Sequence, residues 1–222
     1  MKILAIETAT EICGVSYIED DNVIATVEEN IPRQHAKSLP LFYEKLVADT
    51  GFKLSSLDGI AISIGPGSFT GLRIGLSYSK GLAFGQGLPL IPVPTLRALM
   101  DSGGEYSGAG LALLYSHRDI VYAQKFSCEN GSIPQNDPSP YQWKDMEQNI
   151  KKMDQVVHWG CNQFIDDLKH VQGGNPSAEI ISILAHQYFD EWVINKPYDL
   201  VPTIFHHLKL ERRNIDLYRH IE

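Results

Sequence analysis

The segment Gly65-Pro66-Gly67-Ser68-Phe69-Thr70-Gly71 decides the fold, because it joins a strand-like run to the start of a helix. The preceding residues, Gly59 to Ile64, are typical of a buried strand, and a helical pattern continues from Gly71 to Gly85. Glycines allow positive φ and close approach of another group, and a helix N-terminus attracts anions. The loop matches neither G-x-x-x-x-G-K-[ST] nor G-x-G-x-x-G, however. A tight strand-to-helix turn with Ser68 or Thr70 as N-cap is therefore the commoner interpretation.

Three strand-like runs and a helix come before this loop. Met1 to Glu7 is a continuous apolar run that ends in a carboxylate, as expected of a central strand. Ile12 to Ile18 and Val23 to Glu28 flank a polar turn, which favours a hairpin. Arg33 to Thr50 has apolar residues at helical spacing, and Gly51 stands where a helix C-terminal glycine belongs.

The first half ends in a further strand and helix, Leu88 to Val93 and Pro94 to Met100. Its predicted order, β-β-β-α-β-α-β-α, differs from a doubly wound dinucleotide fold, which alternates from its first strand. Asp101 to Gly110 is rich in glycine and serine, and no apolar periodicity crosses it. We therefore predict two α/β lobes, residues 1–103 and 104–222.

The second half is less regular. Leu111 to Tyr115 and Ile120 to Phe126 predict a strand pair, and Gln155 to Trp159 a short strand. Helical patterns cover Gln142 to Met153 and Glu179 to Trp192. No internal repeat is visible in the sequence.

Composition limits the classes of function. The 222 residues are 43% hydrophobic, and 19 basic residues face 27 acidic ones, giving a net charge of −8. This charge balance argues against a self-sufficient nucleic-acid binder, which would need a wide basic face. Three cysteines without a Cys-x-x-Cys pair do not indicate a disulfide framework or a zinc site. Since no apolar stretch is long enough to span a bilayer, we expect a cytoplasmic protein.

The helix after the glycine-rich loop contains two rows of small residues. Gly71, Gly75 and Ser79 lie at i, i+4 and i+8, and Gly81 and Gly85 form a second pair. Each glycine inside a helix costs about 0.5–1 kcal/mol relative to alanine. Close packing would compensate this cost, either against the protein's own core or against another subunit, and the spacing does not choose between them.

Four segments together resemble the TsaB (YeaZ) family. Residues 65–75, Gly-Pro-Gly-Ser-Phe-Thr-Gly-Leu-Arg-Ile-Gly, with Lys80 to Ala83 downstream, look like the family signature. Ile3 to Thr10 resembles its first strand and turn, Arg33 to Leu39 the entry to its first helix, and Pro94 to Leu96 the entry to a later one. The resemblance is dense over residues 1–100.

The resemblance implies the ASKHA fold, the architecture of actin, sugar kinases and the Hsp70 ATPase. It implies a bacterial cytoplasmic protein needed for the threonylcarbamoyl modification (t6A) of adenosine 37 in tRNAs that read ANN codons. In that pathway TsaC makes threonylcarbamoyl-adenylate, TsaD transfers the group and TsaE is an ATPase. TsaB is the paralogue of TsaD that binds and supports it without a catalytic site. The resemblance also implies that TsaE is a further partner and that this chain contacts tRNA only indirectly, through the complex.

We accordingly assign no catalytic residue and no metal ligand. The metal site of TsaD resembles His-x-x-x-His on a helix, whereas His35 here is followed four residues later by Leu39. No cofactor is required, although ATP or ADP could lodge at the junction with the partner. The residues of such a degenerate nucleotide site would be Glu7, Thr8, Thr10, Gly65, Gly67 and Ser68.

The predicted partner surface is the pair of helices at Arg33 to Thr50 and Gly71 to Gly85. Its glycines would let partner helices approach closely, and a homodimer through the same face is expected when TsaD is absent. We expect Gly75→Leu to abolish binding to TsaD while leaving the isolated fold largely intact. The partner-binding residues would be His35, Leu39, Phe42, Gly71, Leu72, Arg73, Gly75, Leu76 and Ser79.

Two alternatives remain at the level of sequence. One is an ASKHA-type phosphotransferase or ATPase that acts alone, using Glu7 and the Gly65 loop. The other is a direct tRNA-binding module, which the charge of −8 disfavours. Near the C-terminus, Val201 to Phe205 only loosely matches the usual family motif, and His206-His207 is not expected to be a ligand pair, since adjacent helical residues do not converge.

Overall fold

The structure is a computed structural model that describes residues 1–129, 131–165 and 169–204. Phe205, the His206-His207 pair and the charged segment 209–222 lie outside the described residues. No helix in the described part of the chain is long and apolar enough to cross a bilayer.

The first half builds a five-stranded sheet. Its strands are Lys2–Glu7 (β1), Ile12–Glu19 (β2), Asn22–Asn30 (β3), Gly59–Ser63 (β4) and Leu90–Val93 (β5), in the spatial order β3-β2-β1-β4-β5. The first three strands are antiparallel neighbours, which confirms the predicted hairpin. β1 is parallel to β4, and β4 to β5. Five of the six residues of β1 are buried, as expected of a central strand.

Three helices complete the predicted order of the first half. They span His35–Thr50 (α1), Phe69–Gln86 (α2) and Thr95–Asp101 (α3). Pro40 lies inside α1, and Gly51 ends that helix in the left-handed conformation with φ 70°. The order β-β-β-α-β-α-β-α is therefore confirmed, and the predicted boundaries differ by only a few residues.

The second half builds a second sheet. Its strands are Ala109–His117 (β6), Ile120–Ser127 (β7), Ile133–Pro134 (β8), Ser139–Gln142 (β9), Gln155–Trp159 (β10) and Val171–Gly173 (β11). Their spatial order is β11-β10-β6-β7-β8, with β9 also paired to β7. The antiparallel pair β6–β7 and the strand β10 were predicted. The short strands β8, β9 and β11 were not, because two to four residues carry no periodicity.

The two sheets repeat one topology. In each, the first strand pairs antiparallel with the second and parallel with the last but one, which pairs parallel with the last. β6 therefore corresponds to β1, and β10 to β4. This duplication is invisible in the sequence because the lobes share strand order and direction rather than residues.

The two halves exchange helices. Helix α3, from the first half, buries Leu96, Leu99 and Met100 in a cluster with residues of β6, β7 and β10. The second half contributes Trp143–Ile150 (α4), Ala178–Gln187 (α5) and Phe189–Trp192 (α6). Of these, α5 packs on the first sheet, where Ile181 and Leu184 share a core with β1, β4 and β5. The predicted single helix over 179–192 is thus two helices that meet at Tyr188. The predicted boundary at 103/104 separates the two sheets. The core of each sheet nevertheless includes a helix from the other side of that boundary, α5 for the first sheet and α3 for the second.

A fragment of residues 1–103 is therefore expected not to fold on its own. It lacks α5, whose fully or almost fully buried Ile181, Leu184 and Ala185 cover one face of the first sheet. Burial of one isoleucine or leucine contributes about 1.5–3 kcal/mol, and a domain is stable by only about 5–15 kcal/mol. We expect urea denaturation of the fragment to show no cooperative transition, next to a cooperative one for the full chain. A sharp two-state transition of the fragment would contradict the exchange.

Candidate functional site

An open cleft of about 1150 Å³ lies between the two sheets. The first half lines it with the turn after β1, the start of α1 and the loop before α2. The second half contributes the end of β6 and the residues Tyr122, Trp159 and Gly160. Of the residues predicted to hold a nucleotide, Thr10, Gly67 and Ser68 line this cleft.

The other predicted nucleotide residues lie beneath its surface. Glu7 and Thr8 are completely buried and are not among the lining residues. Gly65 is also buried, and a Cβ atom there would come within 2.5 Å of the carbonyl oxygen of Thr203. Glu7, Thr8 and Gly65 therefore do not line the cleft, and their role in binding a nucleotide stays a prediction.

Several backbone groups of the turn after β1 are hydrogen-bonded within the protein, whereas Thr8 Oγ1 is buried without a partner. The amide of Ala9 donates to Glu7 Oε1, and the amide of Ile12 donates to Thr10 Oγ1 at 3.1 Å. The Ala9 carbonyl in turn accepts from the amide of Ser68 at 2.7 Å. These bonds lock the turn against the loop before α2.

Two glycines make this close approach possible. A Cβ atom at Gly67 would fall far inside contact distance of the Ala9 carbonyl, and one at Gly71 would do the same at the Thr8 carbonyl. Ser68 then caps α2, since its Oγ accepts from the amide of Gly71 at 3.2 Å. Of the two N-caps considered from the sequence, Ser68 is the one used. The glycine-rich loop is thus explained by packing against the turn.

Glu7 is a buried carboxyl with an incomplete set of partners. Burial raises its pKa to about 8, although the bond from Ala9 favours the charged form. Its Oε2 atom is buried and has no hydrogen-bond partner. Gly14 of β2 pairs with Glu7 on one side and with Glu28 of β3 on the other, so the two glutamates lie in one row across the sheet. Glu28 accepts a hydrogen bond from the amide of Ala178 at 3.0 Å, and burial also raises the pKa of Glu28. Burial therefore raises the pKa of two carboxyls on one face of the first sheet.

Glu7→Gln is expected to reduce the loss of stability as pH rises from 4.5 to about 8. The pKa of Glu7 rises from 4.5 to about 8 on folding, so the folded chain binds this proton more tightly than the unfolded chain. Stability therefore falls as pH rises through this window, by up to about 1.4 kcal/mol per pH unit for one group. Glutamine keeps the acceptor for Ala9 and does not titrate. Urea denaturation at a series of pH values should give a shallower slope for the variant, with Glu28 still contributing; equal slopes would contradict the assignment.

His35, expected to have no metal role, has a structural bond in the fold. Its ring Nε2 lies 3.1 Å from the carbonyl oxygen of Ile12, and the side chain is 6% exposed. Leu39, one turn later, is fully buried in the core of the first half. Within residues 1–129, 131–165 and 169–204, no three His, Cys, Asp or Glu side chains converge as a metal site would require.

The small-residue row of α2, which was predicted as part of the partner surface, faces the protein's own core. A Cβ atom at Gly75 would lie 2.9 Å from Ile62 Cδ1 and far inside contact distance of Thr8 Oγ1. The buried members of the predicted surface are His35, Leu39, Gly71, Leu72, Gly75, Leu76 and Ser79. Only Phe42, half-buried against the same core, and Arg73, which stacks 3.8 Å over the Phe69 ring, remain near the surface.

The outward face of α2 carries the second pair of glycines instead. Gly81 and Gly85 are exposed, and a Cβ atom at either would meet nothing within 4 Å. Phe84, on the same face, is 71% exposed, and Leu41 of α1 is 53% exposed. The sequence contained this signal in the spacing of Gly81 and Gly85, but not which row faced outward.

Arg33, where the predicted partner surface begins, also lines the cleft, as does the Ser116–His117 pair, which was not predicted as part of a site. Arg33 has a positive φ of 65°, and Ser116 Oγ lies 2.9 Å from His117 Nδ1.

The repeated sheets, the cleft between them and the self-bonded turn define a two-lobed protein of the ASKHA type. The match to YeaZ from Pseudomonas aeruginosa agrees, with a TM-score of 0.76 at 23% identity over 91% of this chain and 98% of that one.

The chain belongs to the TsaB family. It is 32% identical over 166 residues to the tRNA threonylcarbamoyladenosine biosynthesis protein TsaB of Escherichia coli K12, a match that covers 74% of this chain and 68% of that protein. The family model described as TsaD, tRNA N6-adenosine threonylcarbamoyltransferase, matches residues 22–132. The transferase of that name from Fervidobacterium nodosum is 33% identical over 108 residues, which are 42% of this chain and 32% of the enzyme. The sequence-level resemblance to TsaB is thereby confirmed.

Proposed function

We propose that this chain is a non-catalytic subunit that acts in t6A biosynthesis by binding and activating a TsaD-type threonylcarbamoyltransferase. The modified position would be adenosine 37 of tRNAs that read ANN codons, and the chain would work in the cytoplasm. Membership of the TsaB family is the observation that carries the proposal. The match of residues 22–132 to the TsaD model supports it further, because it relates the chain to its proposed partner.

The geometry of the turn after β1 supports a non-catalytic role. Ala9 and Ile12 direct their amides to side chains of the same turn, and Ser68 directs its amide to the Ala9 carbonyl. A phosphate at this place would have to displace bonds that the fold already makes. Leu39 also occupies, within the core, the position one turn after His35 where a second metal-binding histidine would stand.

The proposed docking surface is the outward face of α2 with the neighbouring part of α1. In the isolated chain nothing compensates the cost of Gly81 and Gly85, about 1 kcal/mol each in a helix interior. A partner helix that crosses α2 at these positions would gain close contact, and exposed Leu41 and Phe84 would supply apolar area. The proposed occupant of this surface is the TsaD-type partner, and a second copy of this chain would take its place when that partner is absent.

The remaining components would join through the complex. TsaE would be a further partner, and ATP or ADP would bind at the junction between subunits, with no cofactor required by this chain alone. The net charge of −8 supports indirect contact with tRNA, because a direct binder needs an excess of basic side chains.

Complementation tests this function. A bacterial strain depleted of its own TsaB would receive this chain together with the TsaD-type protein from the same genome, and t6A in bulk tRNA would be measured by mass spectrometry. Restored t6A with both proteins, and none with the TsaD-type protein alone, is the expected result. Equal t6A without this chain would contradict the proposal. Micromolar binding of magnesium-ATP by the isolated chain, with phosphoryl transfer, would favour the independent phosphotransferase instead.

A further inference from the structure

The chain crosses between the two sheets twice, and the two crossings touch each other. One crossing comprises residues 94–108, between β5 and β6, and includes α3; the other comprises residues 174–177, between β11 and α5. The amide of Asn175 donates to Ser102 Oγ at 2.9 Å, and Gln172 Nε2 donates to the Gly103 carbonyl at 2.6 Å. The close fit requires glycine at residue 174, since a Cβ atom there would fall far inside contact distance of Ser102 Oγ. The two crossings thus form one bonded pair rather than two independent linkers.

A buried arginine adds a second connection between the halves. Arg97 of α3 is 6% exposed, and its Nη2 donates to the hydroxyl of Tyr188 at 2.6 Å. Its guanidinium lies 4.4 Å from the Tyr188 ring centroid and 5.9 Å from that of Trp192. Tyr188 stands at the junction of α5 and α6, so Arg97 ties α3 to the end of the helix that covers the first sheet. Asp101, one turn after Arg97, accepts from Ser132 Oγ in the loop before β8.

Because each exchanged helix packs on the sheet of the other half, the bonds of Arg97 and Asn175 connect the two sheets. Leu96, Leu99 and Met100 fix α3 to the second sheet, and Ile181 and Leu184 fix α5 to the first. A change in the angle between the sheets would have to break contacts in one of these cores or stretch the bonds of Arg97 and Asn175. Packed interiors resist such shear because they have little free volume.

We propose that α3, α5, the Arg97–Tyr188 contact and the paired crossings form a clamp that holds the two lobes at one fixed angle. The cleft between them then keeps one width and does not close around a ligand. The clamp goes beyond the proposed function, because it concerns the isolated chain and does not depend on the partner. It makes the chain a rigid platform and excludes a cycle of opening and closing.

Distance measurements between the lobes test the clamp. Spin labels at Lys53→Cys and Lys152→Cys would sit on exposed positions of the two halves, while Cys13, Cys128 and Cys161 are buried. Pulsed EPR of the otherwise wild-type chain should give one narrow distance population, unchanged by magnesium-ATP. Arg97→Met and Tyr188→Phe should broaden it, and Arg73→Met, an exposed arginine on α2, should not.

Hydrogen exchange supplies the second readout. In Arg97→Met and Tyr188→Phe, the amides of α3 should exchange about tenfold faster, which corresponds to about 1.4 kcal/mol of local opening free energy. Tyr188→Phe keeps the aromatic stack with Trp192 and removes only the hydroxyl, so this variant still tests the clamp if Arg97→Met does not fold. Several distances in the wild type, or a shift on adding magnesium-ATP, would overturn the clamp. Folded variants that match the wild type in both measurements would overturn it as well.

Discussion

Gly75→Leu is expected to destabilise the isolated chain by more than about 3 kcal/mol, because overpacking against fixed neighbours has large costs. A side chain at this position would meet Thr8 and Ile62, which belong to the turn after β1 and to the strand β4. Neither can move without disturbing the first sheet or the bonds that lock the turn. Thermal and urea denaturation of the purified chain measure the loss, and poor soluble expression would be consistent with it.

The matched control is Gly81→Leu, the same substitution on the same helix. Gly81 is exposed and has open space around it, so this variant should be as stable as the wild type or more stable by about 0.5–1 kcal/mol, from the better helix propensity of leucine. Equal stability of the two variants would contradict the assignment of one glycine row to the core and the other to the surface.

Gly81→Leu is expected to remove binding to the TsaD-type partner while leaving the chain folded. If a partner helix approaches α2 at its glycines, an isobutyl group there would hold the two backbones apart and the interface would lose its central contact. Co-purification from a strain that expresses both proteins is the measurement, with the amount of bound partner compared at equal amounts of bait.

Gln148→Leu on α4 controls for the effect of an added surface leucine. Gln148 is exposed in a helix of the second half, far in sequence from α2. This variant should retain the partner at the wild-type level. Undiminished retention by a folded Gly81→Leu variant would count against the outward face of α2 as the docking surface.

The sequence predicted the first lobe well because each of its elements is long enough to have a period. β1 is a full apolar run, β2 and β3 flank a polar turn, and α1 and α2 are 16 and 18 residues long. In the second lobe, β8 has two residues and β11 three, so pairing with longer strands defines them rather than their own pattern. The exchange of α3 and α5 is equally invisible, because periodicity identifies an apolar face without naming the sheet that it covers.

The candidate site was predicted only in part for a related reason. Thr10, Gly67 and Ser68 line the cleft, whereas Glu7 ends the buried strand β1 and Thr8 follows it, and both of these residues are buried. Helical spacing grouped Gly71 with Gly75 and Gly81 with Gly85, yet both rows satisfy the same spacing rule. Only the contacts of Gly75 with Thr8 and Ile62 identify the row that faces the core.

The most direct test of the account is the rate of t6A formation on purified tRNA by the TsaD-type enzyme, with threonylcarbamoyl-adenylate supplied and this chain added or omitted. The account predicts a low rate for the enzyme alone, a large increase with the wild-type chain, and no increase with Gly81→Leu. An enzyme that works equally well without the chain, or a chain that modifies tRNA by itself, would contradict it.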